Sequence, residues 1–148
     1  MKKQVILEIT GGLIILLFAY ASLSKILNFT HFINEINNQP LPNEWTPWLA
    51  YIILTIEIVI VVMLVVPSLR IGGFILSALL MSVFTVYTSI ILLHGFSYVP
   101  CSCGGVIDFL SWKQHLIFNI FFVLLSLLGS WLSIQERRRK KHTISIGG

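Results

Sequence analysis

Residues 48–93 read WLAYIILTIEIVIVVMLVVPSLRIGGFILSALLMSVFTVYTSIILL. Two apolar stretches, Trp48–Val66 and Ile71–Leu93, are parted only by Pro67-Ser68-Leu69-Arg70, and Glu57 is the one charged residue in either stretch. A helix that crosses a bilayer needs about 20 predominantly apolar residues, and each stretch supplies them. Pro67 cannot continue a helix, so the pair reads as a helical hairpin with a very short turn.

The same test, applied outward, finds two more spans, at about Val5–Leu27 and Trp112–Ile134. The segments between spans carry stop signals: Asn28 to Pro47 is polar and holds Pro40, Pro42 and Pro47, and His94 to Ser111 holds Pro100 and Gly104-Gly105. Composition agrees. Of 148 residues, 56% are hydrophobic and 11% charged, against roughly 45–50% and 25% in ordinary soluble domains. A chain this small leaves much of its surface exposed and cannot hide that much apolar material in its own core. Two cysteines are too few for a secreted disulfide scaffold. The fold class is therefore all-α: one four-helix transmembrane bundle over residues 1–148, with a basic tail from 135 to 148.

Basic residues set the expected orientation. Lys2, Lys3, Arg70 and the run Arg137–Lys141 place eight on one side, and only Lys25 and Lys113 fall on the other. Both termini are expected in the cytoplasm, with the Asn28–Pro47 and cysteine loops outside. The net charge of +4 then reflects topology and anionic lipid, and nucleic acid is not an expected partner. Lys2-Lys3, the apolar run and Ala19-Tyr20-Ala21 have the outline of a secretory signal, but Glu8, Gly11-Gly12 and the length of the run favour an uncleaved span. Gly11-Gly12 and Gly72-Gly73 open the first and third spans alike, a pattern expected of close helix packing.

The chemistry concentrates on the outer side. Pro100-Cys101-Ser102-Cys103-Gly104-Gly105 holds both cysteines, in the oxidising compartment if the membrane is a bacterial inner membrane. A disulfide between cysteines one residue apart closes a tiny ring, which strains it toward reduction. It also cross-links almost no chain, so it adds little as a staple. That combination favours electron exchange through Cys101 and Cys103. Two bland readings stand beside it: an incidental loop disulfide or idle thiols, and half of a metal site completed by His94, Asp108 or His115. Zinc prefers four ligands and wider spacing, so no metal is expected.

Below the loop each span brings a polar group into the outer half. Glu57 lies about 13 Å from the outer end of its span, and Thr85, Tyr87 and Asn119 about 9–12 Å from theirs, at a 1.5 Å rise per residue. Lys25 and His115 lie nearer the surface. An ionisable group at membrane depth marks a functional site by default. Each group also has a plain explanation: Lys25 can snorkel, Asn119 can bond between helices, and Glu57 can be a carboxyl satisfied inside the bundle. Glu57 is expected to face the interior, toward Asn119, Thr85 or Lys25. Glu8 reads as interfacial, and Trp45, Trp48, Trp112 and Trp131 as interfacial belts.

At these residues the sequence resembles the MauE/DoxX family of small four-helix membrane proteins. The resemblance rests on Ala19-Tyr20-Ala21-Ser22-Leu23-Ser24-Lys25-Ile26-Leu27-Asn28 with the later Phe32, on Glu57, on Cys101-Ser102-Cys103-Gly104-Gly105, and on Trp112, His115 and Asn119. Gly104 stands where the family often has Phe, and Phe118 where it often has Arg. Without that cation His94, His115 or Lys113 is left to assist the thiols. The resemblance implies a redox-associated membrane protein that helps to mature a disulfide-rich subunit, in the MauE case that of methylamine dehydrogenase, beside a thioredoxin-like partner. The expected function is thiol–disulfide exchange with a periplasmic thioredoxin-like or cysteine-rich protein. A membrane quinone is the candidate electron partner, by analogy with other membrane dithiol oxidoreductases. The alternatives are a non-catalytic anchor for such a protein and, less favoured, a small transporter using Lys25 and Glu57.

Overall fold

The computed structural model of the protein describes residues 2–38, 44–93 and 111–146. Five helices follow in order: α1 (Lys2–Leu27), α2 (Phe29–Asn37), α3 (Thr46–Val65), α4 (Arg70–Leu92) and α5 (Trp112–Ile146). All but α2 contain a segment long and apolar enough to cross a membrane: Lys3–Leu27, Thr46–Val65, Arg70–Leu92 and Lys113–Arg139. The chain is thus a multi-pass membrane protein. Large apolar side chains point outward at every level, among them Leu16, Val59, Leu79, Val83 and Leu124. Only lipid makes such a surface stable.

The spanning helices form a closed ring in which α1 packs on α3, α3 on α4, α4 on α5 and α5 on α1. Its core is apolar, and Ile14, Ile60, Leu64 and Phe74 are fully buried. Local sequence sets the helix ends. Pro47 occupies the first turn of α3, where its missing N–H costs nothing. At the start of α5, Gln114 N–H donates to Ser111 Oγ at 3.4 Å while Ser111 N–H donates to Gln114 Oε1 at 2.9 Å. This reciprocal capping box satisfies two otherwise orphaned donors.

Three contacts fasten one end of the bundle. Arg70 donates from both terminal nitrogens to the two oxygens of Glu8, at 2.7 and 2.9 Å, and Lys3 Nζ donates to Gln135 Oε1 at 3.3 Å. The start of α1, the α3–α4 turn and the far part of α5 therefore share an end. Glu8 is more than interfacial: it ties α1 to α4 through a bidentate pair.

The segment from Asn28 to Pro47, which reads as a polar loop, contains α2. Phe29, Phe32, Ile33 and Ile36 recur at helical spacing, and they pack against Leu49, Ala50 and Ile53 of α3. The ring of Phe29 lies 5.2 Å from that of Tyr51. A nine-residue helix is unstable alone in water, so docking on α3 is what holds it. At the other extreme, α5 stays helical through the basic run to Ile146, which composition marks only as a tail.

The two glycine pairs play different parts. A Cβ on Gly73 would come within 3.0 Å of the Leu64 backbone nitrogen, so the α3–α4 hairpin closes there because no side chain intervenes. Gly11 makes only ordinary contact with Phe74, and Gly12 meets nothing within 4 Å.

Candidate functional site

Lys25 and Glu57 come together between α1 and α3. Lys25 Nζ donates to Glu57 Oε1 at 2.5 Å, and the two side chains are 9% and 2% exposed. Lys25 stands in the last turn of α1, yet it does not snorkel out. It turns inward and its charge lies 5.3 Å from the centroid of the Phe32 ring on α2, a cation–π distance. The amphipathic helix therefore roofs the ion pair with an aromatic face.

Deeper along the same helix faces the bundle closes with apolar groups. Ile60, one turn below Glu57, is fully buried, and so are Ala21 and Phe18 below Lys25, to within 6%. The pair is isolated from the opposite end by this core and has α2 above it. In such surroundings the desolvation cost of two charges is large, and the attraction between them offsets it only with good geometry. Glu57 Oε2 is buried and has no hydrogen-bond partner among the described residues.

The other polar groups do not join this pair. Asn119 Nδ2 donates to Thr88 Oγ1 at 3.3 Å between α5 and α4, with both residues buried. Thr88 and Thr85 each donate back to a carbonyl of their own helix, Phe84 O and Met81 O. The α1–α3 ion pair and the α4–α5 hydrogen bond are therefore separate contacts. His115 is half-buried near the start of α5. Thr88 does not stand out in the sequence, because a threonine in a helix usually satisfies itself on the preceding turn. Ser77 and Ser126 likewise meet at 2.8 Å, both fully buried, between α4 and α5.

Cys101, Cys103, His94 and Asp108 lie outside the described residues, as does the half-metal-site arrangement that would use them. The exposed side chains of Trp45, Trp48 and Trp131 point away from the core, as interfacial anchors do. Phe122 is buried and packs edge-on against Phe121, 5.3 Å away, and 4.8 Å from Phe118.

Among known protein families, the one described as methylamine utilisation protein MauE matches the chain over residues 3–132. That range takes in α1 from Lys3 onward, α2 to α4, the Cys101-Ser102-Cys103 segment and α5 as far as Leu132. No curated protein and no solved structure matches it.

Proposed function

Because the chain belongs to the MauE family, we propose that it exchanges thiol and disulfide equivalents with an extracytoplasmic protein through Cys101 and Cys103. The Cys101-Ser102-Cys103-Gly104-Gly105 segment carries this reading. A thiolate of the pair attacks one sulfur of the partner's disulfide, forming a mixed disulfide and releasing the partner's other sulfur as a thiolate. The second cysteine then attacks its neighbour's sulfur, closing Cys101–Cys103 and freeing the partner in its dithiol form. The chain loses two electrons and the partner gains them; the reverse sequence oxidises the partner. The partner is a thioredoxin-like or cysteine-rich protein, and the family's description as a methylamine utilisation protein makes methylamine metabolism the first place to look for it.

This chemistry needs the cysteine loop on the oxidising side of a bacterial inner membrane. The eight-to-two distribution of Lys and Arg supports that placement. Reporter fusions after Pro67 and after Lys141 are expected to read cytoplasmic, and fusions at Gln39 and Gly105 periplasmic. A periplasmic signal from the Lys141 fusion would remove the compartment on which the proposal depends.

Single serine variants test the exchange itself. Cys101→Ser or Cys103→Ser is expected to accumulate a mixed disulfide with a periplasmic protein, visible as a reducible band on non-reducing gels. The Cys101→Ser/Cys103→Ser variant is expected to insert normally and to lose all exchange. Full complementation by that double variant would refute dithiol chemistry and leave a membrane anchor for the partner as the function.

A further inference from the structure

Buried side-chain nitrogens and oxygens normally each meet at least one hydrogen-bond partner. Among the described residues the Lys25–Glu57 pair leaves one carboxylate oxygen without any. An ammonium has three N–H donors; Lys25 directs one to Glu57 Oε1 and turns its charge to Phe32, and no other acceptor meets it among the described residues. Glu57 is 1% exposed, and its Oε2 has no donor among the described residues. Among the described residues, spare N–H capacity on Lys25 and an unanswered acceptor on Glu57 thus flank the same ion pair, and a buried acceptor left unanswered raises the free energy.

The charges limit what can occupy this position. An anion would meet Glu57, and a cation would meet Lys25. A carbonyl would serve Lys25 and leave Oε2 unanswered. A hydroxyl serves both, because its oxygen accepts from Lys25 Nζ while its proton goes to Glu57 Oε2. The rest of such a molecule would have to be apolar. Phe32 roofs the pair, Ile60 and Phe18 close the bundle below it, and Leu23, Ile26 and Ile52 face lipid on the flanking helices.

We propose that the Lys25–Glu57 pair, roofed by Phe32, is a binding site for the hydroxyl group of a lipid-soluble alcohol or phenol. The site is independent of the thiol reading, since none of its groups is a cysteine.

The full chain in lipid nanodiscs, titrated with 4-(trifluoromethyl)phenol and followed by fluorine NMR, tests this. A saturable shift is expected with the phenol, and only linear partitioning with (trifluoromethyl)benzene, which lacks the hydroxyl. Lys25→Met/Glu57→Leu replaces the pair with apolar side chains of similar size and is expected to weaken phenol binding roughly tenfold or more. Circular dichroism checks that this variant folds; Lys25→Met/Glu57→Met carries the same comparison if it does not. Equal binding of the two probes, unchanged binding by the variant, or linear partitioning of the phenol (the result if water alone fills the position) would each overturn the proposal.

Discussion

Glu57→Leu is expected to destabilise the folded bundle by about 3–5 kcal/mol, among the largest losses available to a single substitution in this chain. Glu57 Oε1 is the one hydrogen-bond acceptor that Lys25 meets among the described residues, and the lysine side chain is 9% exposed. Leucine leaves a buried ammonium with, among the described residues, the Phe32 ring alone beside its charge. Lys25→Met is expected to cost a similar amount, because it strands the carboxylate. Lys25→Met/Glu57→Leu together are expected to recover most of the loss, since a buried pair can often be exchanged for packed apolar groups at little cost. Reversible unfolding in mixed micelles, arranged as a double-mutant cycle, measures the coupling directly. Wild-type stability in Glu57→Leu would mean that Lys25 finds water, and the buried pair would be refuted. Glu57→Gln keeps the shape and an acceptor for Lys25, so it separates charge from packing. A folded Gln variant without thiol exchange would give the charge a part in that chemistry.

Gly129→Ala is expected to cost about 1–3 kcal/mol or more, although it adds a single methyl group. A Cβ there would run into three atoms of the Phe74 ring. The ring is fully buried, so it can retreat only by displacing core neighbours, and its Cζ also lies 3.6 Å from where a Cβ on Gly11 would stand. One phenylalanine of α4 therefore fills a notch that glycines of α1 and α5 leave open. Phe74→Leu in the Gly129→Ala background is expected to recover part of the loss, with a coupling of about 0.5–3 kcal/mol. Gly12→Ala is the control: nothing lies within 4 Å of its added Cβ, so the better helix propensity of alanine should leave stability unchanged or raised by about 1 kcal/mol. Equal effects at Gly12 and Gly129 would show that helix propensity, and not the notch, sets the cost.

The four spans could be read from the sequence because their signal is local. Each needs only enough consecutive apolar residues to satisfy the bilayer, and hydropathy along the chain measures that directly. The α3–α4 hairpin followed from Pro67 and a turn too short for any other path. The cysteine pair was equally visible, since it depends on spacing within three residues. The short helix α2 was not visible, although Phe29, Phe32, Ile33 and Ile36 carry its pattern. Nine residues flanked by Asn28 and Asn38 give too weak a helical signal without the α3 surface they dock on.

Partners are a different kind of information. The sequence marked Lys25, Glu57, Thr85 and Asn119 as polar groups in one half of the membrane, and depth alone allowed several pairings among them. The ring order of the helices chose: α1 beside α3 joins Lys25 to Glu57, and α4 beside α5 joins Asn119 to Thr88. Glu8 meeting Arg70, and Phe74 entering the notch at Gly129, were fixed in the same way. By itself the sequence determined that this chain crosses a membrane four times and carries a Cys-x-Cys pair, because hydropathy and covalent spacing act along the chain. Which buried charge meets which was decided by the tertiary structure, because that depends on helix rotation and neighbour order, which packing sets.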